Sequence, residues 1–154
     1  NIIEGFGCEC CIFDYTGLVY DGNKENQSGC DANDPYDQGL GVKKLGYYTY
    51  KLMAERLGGS TSVTTLPSSS GVHLFRFTRE ARPVWVVWND HAASAQVVIP
   101  GVTSGKIKIT EAIPASELGK AVTAYASAFK STTQSVSGGS AMITVADVPL
   151  IVVE

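Results

Sequence analysis

The stretch Gly7–Gly22, GCECCIFDYTGLVYDG, sets three of the chain's four cysteines within four positions, then turns apolar, then enters a loop rich in Asp and Asn. Its reading decides the fold. A metal knot would make the protein a small metal-binding domain, whereas a buried strand would make it part of a larger architecture. The spacing Cys8, Cys10, Cys11 and then Cys30 is not the paired Cys-x-x-Cys pattern of a zinc site. On a strand, Cys8 and Cys10 point to one face and Cys11 to the other, so the three do not converge on one ion without a bend. Cys8, Cys10, Cys11 and Cys30 are the disulfide candidates, with one bridge from the first group to Cys30 if their Cα atoms come close enough. The favoured reading is a strand with cysteines as small buried side chains, since free Cys is among the most buried residue types. CCIFDYTGLVY is apolar on both faces, as a strand covered on both sides must be.

Downstream, residues 21–41 carry Asp21, Asn23, Glu25, Asp31, Asn33, Asp34 and Asp37. So many oxygen ligands bring calcium to mind. However, DANDPYDQGLG lacks the glycine that an EF-hand loop needs at its sixth position, and Pro35 stands at the fifth. The expectation is a solvated loop of turn formers, and a long loop after a buried strand is a common seat of function. VKKLGYYTYKLMAERLGG follows as a helix. Leu45, Tyr48, Thr49, Leu52, Met53 and Arg56 or Leu57 repeat at the three-four spacing of one face. Lys43, Lys44, Lys51 and Glu55 fall mostly on the other side. Gly58 is the expected stop, adopting the left-handed conformation that often ends a helix.

After Gly59 the pattern changes to short alternating runs separated by turns. SVTTLP, VHLFRFTR, RPVWVVWND, AQVVIPG, KIKITEAIP and AMITVADVPLIVVE all read as strands. In VHLFRFTR, one face carries His73, Phe75 and Phe77. In RPVWVVWND, Val84, Val86 and Trp88 oppose Trp85 and Val87. In KIKITEAIP, Ile107, Ile109 and Ile113 oppose Lys106, Lys108 and Thr110. AVTAYASAF fits either a strand or a short helix, while PSSSG and TTQSVSGGS read as turns or loops. The fold class is mainly β: an antiparallel β-sandwich over 60–154, preceded by one strand-loop-helix unit over 1–59.

The totals exclude several functions. A net charge of −3 over 154 residues leaves no electrostatic footprint for nucleic acid. No apolar run approaches the roughly 18 residues of a membrane span. Low charge with abundant Ser, Thr, Gly and Val suits an extracellular or cell-surface protein. There is no phosphate loop, dinucleotide fingerprint or nucleophile elbow, so no cofactor is expected. His91 reads as a loop residue beside Asp90, and His73 as a strand residue with a satisfied ring; neighbours on a turn do not orient one another as a triad does. Trp85 and Trp88 sit three apart and point to opposite faces, so they cannot form one flat sugar platform; core packing is the preferred role.

Taken in order, GFGCECCIFDYTGLVYDG and GVKKLGYYTYKLMAERLGG resemble the eighth strand, loop and helix of the (β/α)₈ barrel in retaining glycoside hydrolases. PVWVVW and VADVPLIVVE resemble strands of the C-terminal β-sandwich appended to such barrels. The resemblance covers essentially the whole chain. It implies that Asp14, Tyr15 and Thr16 stand at the C-terminal end of a barrel strand, where they could line a sugar subsite; the plainer reading has Tyr15 packing and Asp14 capping a turn. It also implies that the two catalytic carboxylates lie on strands upstream of Asn1, leaving no catalytic residue in this chain; Glu4 lies on the approach to the strand and takes no such role. A complete barrel needs about 250 residues, so the expected function is a non-catalytic C-terminal portion that braces the barrel and lends a loop to its cleft.

Two alternatives stand beside it: a stand-alone carbohydrate-binding or adhesion module, and a self-associating β-rich structural protein. Expected partners are the remainder of a parent barrel or a second copy of the chain, together with carbohydrate. Each large apolar side chain left wet forgoes roughly 1.5–3 kcal/mol. The helix and strand are therefore expected to lie on the sandwich or be covered by another chain.

Overall fold

The computed structural model describes residues 17–20, 22 and 37–154. The candidates Cys8, Cys10, Cys11, Cys30, Asp14, Tyr15 and Thr16 lie outside the described residues, as do most of the first strand and of the acidic loop.

Among the described residues one helix, α1 (Leu45–Leu57), precedes eight strands: β1 (Ser62–Leu66), β2 (Val72–Arg79), β3 (Arg82–Asn89), β4 (Ala95–Pro100), β5 (Lys106–Glu111), β6 (Ser131–Ser135), β7 (Ser140–Val145) and β8 (Leu150–Val153). Six strands form one sheet in the order β1-β2-β3-β8-β5-β6, and β4 pairs with β7 in a second. All pairings are antiparallel. The chain is thus a mainly β sandwich with a helix ahead of it.

Period-two alternation fills the space between the sheets. Val97 and Ile99 of β4 and Ala141, Ile143 and Val145 of β7 turn inward, while Gln96, Val98, Met142 and Thr144 turn to solvent. They meet Leu74, Trp85, Ile107 and Val152 of the large sheet in the main core. The central strands β3 and β8 are apolar on both faces because both faces are covered. Val84 and Ile151 point away from the second sheet and join Leu52 of the helix in a second core, with Met53, Leu57, Phe77 and Phe129 packed around it. The layers run helix, large sheet, small sheet.

The helix face matches its sequence pattern. Tyr48 and Leu52 are buried, Met53 and Leu57 pack on the second core, and the Thr49 hydroxyl donates to the Ala112 carbonyl at 2.7 Å. Thus the helix lies on the sandwich, one of the two outcomes expected for it. Four details correct the sequence reading. Gly58 donates its N–H to Ala54 but keeps negative φ, and Gly59 takes the left-handed conformation at φ 78°. The run from Ser140 to Val153 is two strands in different sheets, broken around Asp147. TTQS belongs to β6, an edge strand, not a loop. Ile113 lies past the end of β5 and is exposed. The stretch AVTAYASAF, which fitted either a strand or a short helix, is neither: it holds the 3₁₀ turn Tyr125–Ser127 and follows another, Gly119–Ala121, that ends at its first residue.

Candidate functional site

The base of the acidic loop is closed by local hydrogen bonding. Tyr20 donates its N–H to Val42 at 2.8 Å and accepts from Gly41 at 2.9 Å, while Lys44 donates to Leu18 at 2.9 Å. Asp37 is buried, and its two carboxylate oxygens accept the N–H groups of Gly22 at 3.0 Å and Gly39 at 2.6 Å. This aspartate, one of the oxygen donors counted toward calcium, therefore closes a turn, the role short acidic side chains commonly take in loops. Its bonds draw Gly22 and Asp37 together near the start of α1. Leu40, 81% exposed, stands at that place.

The β5–β6 connection reaches the same corner and runs along the helix. Lys120 donates its N–H to the Gln38 amide oxygen at 3.0 Å, and the Gln38 amide NH₂ donates to the Tyr20 hydroxyl at 3.1 Å. Gly119 is seated against the Lys43 carbonyl, where a Cβ would collide. Further along, the Tyr125 hydroxyl donates to Glu55 at 2.7 Å, the Tyr125 ring lies edge-on to Phe129, and the Lys51 ammonium sits 4.3 Å from the ring centre. Partial burial, helped by the Glu55 carboxylate, pushes the Tyr125 phenol up to about 12. The connection therefore fastens helix and loop base to the sandwich at both ends of α1.

On the outer face of β2 and β3, Trp88 stacks on His73, with centroids 4.8 Å apart, and on Phe75, at 5.3 Å. The His73 Nε2 lies 2.6 Å from Asp90 Oδ2, so the His73 ring is satisfied as expected, and Asp90 serves it rather than His91. Trp85 points the other way and is fully buried. The two indoles share no platform, and Trp88 is engaged by two neighbouring rings. Among the described residues no group of three or more His, Cys, Asp or Glu side chains is placed to hold a metal ion, and no helix is long and apolar enough to cross a membrane.

Sequence reasoning passed over the arginines. All four in the chain, Arg56, Arg76, Arg79 and Arg82, line two adjoining grooves at the end of the sheet away from His73. The available signal was TREARP, in which two arginines flank a two-residue turn.

A helix laid on a six-stranded sheet that is backed by a second sheet is the architecture these residues define. No protein-family profile and no curated protein matches the chain. Among solved structures it is similar to a GH30 endoxylanase from Clostridium papyrosolvens C71, with a TM-score of 0.52 and 11% sequence identity. The likeness covers 74% of this chain and 28% of that one. At that identity it is a likeness of fold. The covered share amounts to about 114 of the 154 residues, more than residues 60–154 can supply, so it reaches back into the segment that holds the helix.

Proposed function

We propose that the chain is the C-terminal portion of a glycoside hydrolase, comprising the last β/α unit of its barrel and a non-catalytic β-sandwich that braces it. The observation that carries this reading is the fold likeness to an endoxylanase, extending beyond the sandwich while spanning little more than a quarter of the larger enzyme. The lacing of α1 and the loop base before it to the sandwich, through Ala112, Gly119, Lys120 and Tyr125, supports the bracing role, because a helix held at both ends transmits the sandwich's rigidity to whatever packs on its other side. On this reading the loop closed by Asp37 borders the sugar cleft. Asp14, Tyr15 and Thr16 contribute to a subsite there, and the two catalytic carboxylates come from the rest of the barrel. The partner is that barrel, the ligand a carbohydrate, and the setting extracellular or the cell surface.

The test is to capture the protein from its source with an antibody against residues 60–154, then measure its intact mass and its hydrolysis of xylan and other β-glycans. The expected product exceeds 16.3 kDa by the mass of a barrel, about 250 residues, and hydrolyses a glycan. A polypeptide of 16.3 kDa without hydrolysis would end the proposal and leave the binding-module and self-assembly readings.

A further inference from the structure

The arginine end of the sandwich departs from the rules that shape the rest of the surface. The chain is net negative, yet every arginine it has gathers around the β2–β3 hairpin, the end of α1 and the end of β8. Arg79 and Arg82 are direct cross-strand partners, an arrangement in which like charges repel. The turn between them runs through Glu80 and Ala81, both left-handed at φ 49° and 61°, where a two-residue hairpin normally uses Asn and Gly. Strained backbone of this kind clusters at functional surfaces.

The two carboxylates in these grooves, Glu80 and Glu154, offset only part of the charge of four arginines. Glu80 is 3.8 Å from Arg79 and highly exposed. Glu154, which lies between the two grooves, accepts the N–H and hydroxyl of Thr103 at 2.5 and 2.6 Å. Arg79 also donates to the Glu55 carbonyl. Among the described residues Arg56, Arg76 and Arg82 form no ion pair. Their guanidinium forks are therefore available, and such forks match planar or tetrahedral oxyanions in bidentate fashion. Arg82 borders both grooves, so a ligand crossing the hairpin would meet Arg76 on one side and Arg56 on the other.

We propose that this end of the sandwich binds the oxyanions of an acidic polysaccharide, carboxylate or sulfate. The sugar carrier rests on the glycoside-hydrolase reading; the anion preference rests on the arginines alone. The experiment titrates the 154-residue chain at low salt with polygalacturonate, dextran sulfate and neutral xylan, following binding by calorimetry. Binding of either polyanion, weakening as salt rises and absent for xylan, is the expected result, and the better of the two identifies the anion. Arg76→Ala and Arg82→Ala should each weaken it about tenfold or more, the scale of a lost charge-assisted hydrogen bond, with unchanged circular dichroism. Arg82→Lys should recover part of the loss, since it keeps the charge but not the fork. Absence of polyanion binding, or equal binding by the Arg76→Ala/Arg82→Ala double variant, overturns the site. Neither result touches the intact-mass measurement, so the anion site and the parent reading fail separately.

Discussion

Replacing Leu52 by alanine tests whether the helix and the sandwich are one cooperative body. Leu52 is 4% exposed and belongs to the same buried cluster as Val84, Ala112 and Ile151. Val84 and Ile151 sit on central strands whose other faces are held by the main core, so the sheet has little freedom to sink into the space left behind. Leu→Ala changes in such sites cost about 2–5 kcal/mol, and a value near 3 kcal/mol is expected here. For a chain of this size that lowers the melting temperature by roughly 6–12 °C. Urea titration with two probes is the assay: far-ultraviolet circular dichroism for the helix and the fluorescence of buried Trp85 for the sandwich. Both midpoints should fall together. Tyr50→Ala on the same helix is the control, because Tyr50 is 66% exposed and surface changes usually stay within about 0.5 kcal/mol. A Leu52→Ala cost below about 1 kcal/mol, or a dichroism midpoint that shifts while the fluorescence midpoint stays, would refute a helix docked on the sheet.

Other perturbations follow from the same geometry. The folded Tyr125 pKa, about 12, lies above the ordinary phenol value of 10.0, so its stabilising contribution is complete below pH 10 and is lost as pH rises toward 12. Tyr125→Phe should cost about 1 kcal/mol at neutral pH through the lost bond to Glu55, and pH-dependent melts should show a flatter alkaline decline than in the parent. Gly119→Ala should destabilise by about 1–3 kcal/mol, since the added methyl meets the Lys43 backbone; a neutral denaturation midpoint would contradict that seating. Glu80→Asn combined with Ala81→Gly should raise the melting temperature by relieving roughly 1–2 kcal/mol of left-handed strain; scanning calorimetry reads the shift.

The elements whose side chains face one consistent environment were legible in the sequence. Helix α1 shows its buried face at three-four spacing, and β4, Val97 and Ile99 against Gln96 and Val98, shows its own at spacing two. Legibility failed where tertiary partners decide. The apolar segment from Ala141 to Val153 carries no local signal strong enough to say that its halves enter different sheets. The polar run STTQS earns strand status only by pairing with β5, and no alternation announces it. Gly58 and Gly59 are equivalent as stop signals, and the first one's N–H bond to Ala54 settles which turns left-handed. The candidates Asp14, Tyr15 and Thr16 fall outside the described residues. The arginine end was hidden for another reason. Arg56 is far from the hairpin in sequence, and only the packing of α1 brings it beside Arg79 and Arg82, while Arg76 stands on β2 itself, near Gly101.

β8 lies between β3 and β5, so within the large sheet it alone joins β1-β2-β3 to β5-β6. During synthesis the two groups of strands must therefore wait, each with one long edge unpaired, until Leu150 to Val153 leave the ribosome. Pairing over such sequence separations is intrinsically slow, and unpaired edges recruit neighbouring chains. Shortening the protein by a few residues from Leu150 onward should therefore harm its yield of soluble product far more than an equal deletion at β1.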